Sequence, residues 1–107
     1  MHDASEKLFQ DNVKRIARMT GWQIFHASPK QVRPGVMVSD GPGFPDLVLV
    51  STVGRGIIWA ELKTEQGRLS PIQKQWGQNI LANGGEYYVW RPSQLELIAS
   101  RLGRNAP

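Results

Sequence analysis

Two apolar, β-branched runs stand either side of a glycine-bearing break, and both carry charge where a strand would be buried. The first is Gly43-Phe44-Pro45-Asp46-Leu47-Val48-Leu49-Val50, and the second is Ile57-Ile58-Trp59-Ala60-Glu61-Leu62-Lys63. Runs of this kind bounded by glycine read as buried strands. The break, Val53-Gly54-Arg55-Gly56, holds the glycines that a hairpin turn needs for positive φ. Folding the runs back about it brings Asp46 close to Glu61. Side chains alternate along a strand, so Glu61 and Lys63 point the same way. Two carboxylates and an ammonium then converge within a hydrophobic sheet.

Such convergence needs a reason, because burying a charge is unfavourable unless it is paired or bound to metal. A structural Asp–Lys or Glu–Lys pair at a strand end is one explanation. The other is a hard divalent cation, Mg²⁺ or Mn²⁺, held by Asp46 and Glu61 with Lys63 facing a substrate. Carboxylate oxygens suit these ions, and such sites keep positions open for water and phosphate. The rest of the composition narrows the class. The 107 residues show no compositional break, which predicts one domain spanning 1–107. No membrane-length apolar run and no signal-peptide core is present, and there is no cysteine, so an intracellular chain is expected. Thirteen Lys and Arg against nine Asp and Glu give +4, which is compatible with a polyanionic partner.

Elsewhere the elements follow from periodicity and caps. Residues from Asp3 to Thr20 read as a helix with Phe9, Val13, Ile16 and Ala17 at helical spacing, closed by Gly21. Asp3 and Glu6 have capping-box spacing, and Glu6 shares a face with Gln10. Lys14, Arg15 and Arg18 gather in its second half, either as a solvated face favoured by the helix dipole or as contacts to phosphate. Trp22–His26 is a strand, and His26, lacking a metal-spaced cluster, reads as a polar strand-end residue. Ser28–Pro42 has no clear period and is expected to be a loop carrying Lys30 and Arg33 toward a substrate backbone, with Val36-Met37-Val38 as a possible short edge strand. After the polar connection that bears Arg68, Ser70-Pro71-Ile72-Gln73 opens a helix by a capping box. Its Ile72, Trp76 and Ile80 are expected to face the sheet, and Asn83-Gly84-Gly85 stops it. Glu86–Trp90 is the last strand. Ser93 and Glu96 are spaced to cap a final helix with Leu95, Ile98 and Leu102 inward. The predicted order is α-β-β-β-α-β-α, an α/β mixed sheet flanked by helices, with the apolar hairpin covered on both faces.

This layout resembles the restriction-endonuclease-like core of the PD-(D/E)XK nucleases, and within it the virus-type replication-repair nuclease (VRR-NUC) domain, over nearly the whole chain. Glu6 and Gln10 match the family's Glu-x-x-x-Gln, Gly43–Asp46 its Gly-x-Pro-Asp, and Glu61-Leu62-Lys63 its Glu-x-Lys. Gly67–Gln73 matches the segment with its glutamine motif, and Val89–Pro92 its closing strand. The resemblance is to the stand-alone members. It implies a metal-dependent endonuclease of replication, repair or recombination acting on branched DNA such as a Holliday junction or a flap. Asp46, Glu61 and the Leu62 carbonyl would hold Mg²⁺ or Mn²⁺, with Glu6 in support, Lys63 orienting water and Gln73 positioning Lys63 or a phosphate. Lys14, Arg15, Arg18, Lys30, Arg33 and Arg68 would meet DNA. Two symmetric cuts at a junction need two sites, so a homodimer is expected. The rivals are a DNA-binding module that keeps the fold without cleaving, and a sequence-specific restriction-type enzyme, for which the chain has little base-reading material.

Overall fold

The computed structural model describes residues 4–27, 30–33, 36–38 and 41–107, with the side chains of residues 4, 30–33 and 36–38 left aside. Helix α1 (Ala4–Met19) leads into strand β1 (Trp22–His26), a short pair β2 (Lys30–Arg33) and β3 (Val36–Val38), and the hairpin β4 (Leu47–Ser51) and β5 (Ile57–Leu62). Helix α2 (Pro71–Ala82), strand β6 (Glu86–Trp90) and, after a 3-10 turn at Pro92–Gln94, helix α3 (Leu95–Gly103) complete the order. Among the described residues no helix is long and apolar enough to cross a membrane.

The main sheet runs β1-β4-β5-β6. It is mixed, because β1, β4 and β5 are antiparallel neighbours while β6 lies parallel to β5. A parallel return needs a crossover, and α2 supplies it. The expected α/β sheet with flanking helices is therefore present. One expectation is revised within 28–42: residues 30–33 and 36–38 pair antiparallel as a separate two-stranded sheet, with a register shift between Gln31 and Arg33. Four- and three-residue strands bonded only to each other are too short to show a period. The Asp3 cap and the side chains of Lys30 and Arg33 fall outside the described residues.

One sheet face carries the core. Leu47, Leu49, Ile58 and Ala60 are fully buried, joined by Trp22, Leu62 and Trp90. Phe9, Val13 and Ala17 of α1 and Ile98 and Leu102 of α3 close over them, as the helical spacing requires. The opposite face holds Val48, Val50, Ile57, Trp59 and Tyr87, since paired residues share a face. Helix α2 covers only part of it. A methyl group at Gly77, the one buried residue of α2, would come within 2.5 Å of the Tyr87 ring, so that glycine sets how closely helix and sheet approach. Ile72 is exposed, and Trp76 packs on Phe44. Phe25, Val50 and Ile57 also stay exposed, which corrects the expectation of an apolar hairpin covered on both sides.

Glycine geometry separates two positions of equal φ. Gly54, at the tip of the β4–β5 turn, has φ +79° and no heavy atom near a would-be side chain. Gly43 has φ +82°, but a methyl group there would lie 2.7 Å from Ile72 Cγ2 and 3.0 Å from the Gln73 backbone nitrogen. Gly54→Ala should therefore destabilise by the left-handed penalty alone, about 1–2 kcal/mol. Gly43→Ala should add a steric term of about 1–3 kcal/mol. Urea titration of the two variants compares them directly. A smaller loss at Gly43 would mean that its loop can swing away from α2.

Candidate active site

Asp46 stands one residue ahead of β4, on a segment held from both sides. Pro45 before it is fully buried, and Phe44 meets Trp76 of α2 edge-on with ring centroids 5.0 Å apart. Trp76 Nε1 donates to the Pro42 carbonyl at 2.9 Å. On the other flank the Ala27 amide donates to the Asp46 carbonyl at 2.8 Å, which prolongs the β1–β4 ladder by one bond. The side chain is locked as well: Asp46 Oδ2 accepts the Leu62 amide of β5 at 2.9 Å.

Glu61 belongs to β5 and is 3% exposed, the one buried charged residue among those described. Its Oε2 accepts Gln73 Nε2 at 3.0 Å and lies 3.6 Å from Lys63 Nζ. Lys63 follows β5 by one residue, and the period-two alternation places it beside Glu61 as expected. Gln73 serves two partners at once. Its Oε1 accepts the Ser70 amide at 2.8 Å while Ser70 Oγ accepts the Gln73 amide at 3.3 Å, completing the capping box of α2. The cap thus aims the amide nitrogen of Gln73 at Glu61.

Crowding two carboxylates in a dry place raises both pKa values. Glu61 is pushed up to about 7, first by burial and then by the charge of Asp46, with Lys63 pulling the other way. Asp46 is raised by burial and opposed by the Leu62 amide, Lys63 and His26, while the charge of Glu6 adds to the rise. Glu6 therefore acts on Asp46 through its charge. Among the described residues no three His, Cys, Asp or Glu side chains gather to hold a metal ion. Two carboxylates with the Leu62 carbonyl on the same strand end still fit Mg²⁺ or Mn²⁺, which commonly take one or two protein carboxylates and fill the remaining positions with water and phosphate.

The polar connection between β5 and α2 is pinned from the far side. Arg91 donates to the carbonyls of Thr64 at 2.5 Å and Gly67 at 2.7 Å. The carboxylate of Glu65 accepts from both the amide and the hydroxyl of Ser93. Ser93 is thus not the helix cap expected of it. The 3-10 turn before α3 is held instead by Gln94 Oε1 accepting the Arg91 amide at 2.9 Å. Both contacts fix the stretch that delivers Gln73.

Of the expected DNA-contacting residues, Arg15, Arg18 and Arg68 are exposed. Arg15 donates to Asn12 Oδ1 at 2.6 Å. Lys14 behaves differently, since its Nζ lies 2.9 Å from His26 Nδ1. His26 is the residue that sequence reasoning passed over. As the last residue of β1 it pairs with Leu47, next to Asp46, and in its protonated form it favours the charged Asp46 carboxylate. The antiparallel pairing of β1 with β4 is the signal that would have found it.

Comparison with known proteins bears on the family and the fold. The sequence model of the VRR-NUC domain matches residues 7–94. A solved structure described as a VRR_NUC domain superposes with a TM-score of 0.67 at 20% sequence identity, covering 90% of this chain and 95% of that one. No curated protein matches the sequence. The family match takes in Gln10, the Asp46–Glu61–Lys63 cluster and Gln73, and the shared fold extends over nearly the whole chain. The chain belongs to the VRR-NUC family of nuclease domains.

Proposed function

We propose that the chain is a Mg²⁺- or Mn²⁺-dependent endonuclease that hydrolyses phosphodiester bonds in branched DNA, such as four-way junctions or flaps. The observation that carries this reading is the Asp46–Glu61 pair, locked across two strands with Lys63 and Gln73 on Glu61. A binding module has no use for buried carboxylates next to phosphate. When bound, the cation would lower the pKa of a water and offset charge on the phosphate. Asp46, Glu61 and the Leu62 carbonyl would hold it, with Glu6 in support. Lys63 donates toward the attacking water or the phosphate oxygens, as an oxyanion donor does. Gln73 keeps Glu61 turned inward. Of the basic residues expected to meet DNA, Arg15, Arg18 and Arg68 would give exposed contacts to phosphate, with Lys30 and Arg33 proposed on sequence alone.

Activity tests follow from these roles. Asp46→Asn, Glu61→Gln and Lys63→Ala should each lower kcat by at least about a hundredfold on a junction substrate while the fold persists. Gln73→Leu should lower it about 10–100-fold, since it orients a ligand rather than acting on phosphate. Wild-type cleavage by Asp46→Asn would remove the metal-site assignment.

A second measurement needs no substrate. An acid whose pKa is raised on folding favours the folded state while protonated. The contribution of Glu61 and Asp46 therefore weakens as pH climbs from the unfolded carboxylate range, near 4.5 for Glu61, through about 7. In EDTA the wild-type Tm should fall between pH 5 and pH 8 more steeply than that of Glu61→Gln. Mn²⁺ should restore it most at the upper end, because ligating carboxylates must be ionised. The gain is roughly 2.7 kcal/mol at a hundredfold excess over Kd. Asp46→Asn should be as stable as wild type in EDTA, its amide oxygen still able to accept from Leu62, and should respond little to Mn²⁺. Strong destabilisation of Asp46→Asn in EDTA, with no response to Mn²⁺ in either protein, would make Asp46 a structural partner.

The working species is proposed to be a homodimer, since a junction takes two symmetric cuts and each chain offers one cluster. Light scattering across a concentration series, with and without junction DNA, should give twice the chain mass. A strict monomer in both cases favours a flap or a nick as substrate.

A further inference from the structure

The α1 side of the site carries a cation whose direction is fixed but whose charge is not cancelled. Gln10 and Lys14, one helical turn apart, both reach His26 across the gap between α1 and β1. An ammonium only donates, so His26 Nδ1 accepts from Lys14, and the neutral ring carries its proton on Nε2. Gln10 Nε2 lies 3.2 Å from His26 Nε2, so for this tautomer the carboxamide takes the assignment with its O and N exchanged, the oxygen accepting the ring proton. Among the described residues no carboxylate is in ion-pair contact with Lys14, whereas Lys7 pairs with Asp11 and Lys63 with Glu61. A long, flexible side chain is held in one direction by a neutral acceptor, with its full charge and two further N–H donors left for another ligand.

Position says which ligand. His26 lies on the β1 side of Asp46, while Lys63 and Gln73 lie on the β5 side. A strand whose scissile phosphate sits at Asp46 and Glu61 would run past one group of donors or the other. We propose that Lys14 and His26 form a seat for the phosphate next to the scissile one, with His26 as the positioning residue that holds Lys14 toward it. The proposal rests on the nuclease reading above. It adds to that reading a second contact on the cut strand and a role for a histidine outside the acidic cluster. A tie that merely joined α1 to β1 at the surface would contribute little to stability and nothing to DNA affinity.

Binding can be read without cleavage in the Lys63→Ala background, by anisotropy of a labelled four-way junction over a range of salt. Adding Lys14→Ala should raise Kd about tenfold, the worth of a charge-assisted hydrogen bond. It should also reduce the slope of log K against log salt by about 0.9 in magnitude, the signature of one lost phosphate contact. His26→Leu should reproduce both changes. His26→Asn, which keeps an acceptor near the Nδ1 position, should restore most of the affinity, and His26→Leu should add nothing once Lys14 is alanine. A neutral methylphosphonate beside the scissile position should weaken the parent protein and leave Lys14→Ala unaffected. An unchanged Kd and salt slope for Lys14→Ala overturns the seat, and wild-type affinity for His26→Leu overturns the positioning role. If the parent protein binds neither junction nor linear duplex, the nuclease reading itself falls, which separates the two failures.

Discussion

The hydrogen bond from the Leu62 amide to Asp46 Oδ2 is the contact on which the site depends. Strand β4 begins at Leu47, so Asp46 has no ladder partner on β5, and its side chain takes the backbone donor of that strand instead. That bond fixes the carboxylate against β5, beside the Glu61 that precedes the donor. A carboxylate held by a backbone amide is normally favoured in its charged form. Here burial outweighs the amide, and the Asp46 pKa rises. The geometry is fixed by one force while the charge is strained by another. A free pair of carboxylates would swing apart to relieve this repulsion, but neither can move without breaking a bond to the scaffold.

Glu61 is restrained by an equally economical device. Helix α2 must begin somewhere, and its first amides need acceptors whatever the protein does. The capping box meets part of that need with Ser70 and Gln73, leaving the Gln73 amide nitrogen pointed out of the helix toward Glu61. The start of the crossover helix is thus also the orienting group of the site. Arg91 and Ser93 then hold the connection between β5 and α2 in shape, so that the turn after the last strand supports the stretch leading to Gln73. Misplacing Ser93 by removing Glu65 would act on Gln73 indirectly, through the path of this connection.

Much of this was legible before any coordinates, and the exceptions share a cause. The β4–β5 hairpin, the convergence of Asp46, Glu61 and Lys63, and the capping role of Gln73 follow from alternation and capping, which are local rules. The bond from Gln73 to Glu61 was not foreseen, the resemblance having put that side chain on Lys63 or a phosphate. Ser93 was misread because Ser-x-x-Glu also satisfies a local rule, while its actual partner Glu65 is remote in sequence. The stripe Ile72, Trp76 and Ile80 has helical spacing, yet Ile72 is exposed, and the close approach to Tyr87 is made at Gly77, which has no side chain to enter a hydrophobic pattern. His26 shows no neighbouring ligand in sequence and gains its place through strand pairing alone. Of the β2–β3 pair, Val36-Met37-Val38 was offered as a short strand, while Lys30–Arg33 was hidden by brevity, although Pro34-Gly35 is a turn signal in its own right.

The two ends of the sheet divide the work of stability and chemistry. At the end away from Asp46, Arg55 of the β4–β5 turn donates to the Leu102 carbonyl at 2.7 Å and to that of Thr20, while Trp22 Nε1 donates to Leu102 at 2.9 Å. Arg55 and Arg101 both lie over the Trp22 ring, at 4.8 and 5.2 Å from its centroid. Arg101 in turn holds Glu86 with two bonds, and that pairing lowers the Glu86 pKa, the opposite of what happens to Glu61. One knot ties α1, the hairpin turn, β6 and α3 with opposite charges in contact. The other end gathers like charges where they are withdrawn from water and raises their pKa values. A domain this small can hold a destabilised site because strain and restraint are separated along the strands, with the rigid hairpin joining them.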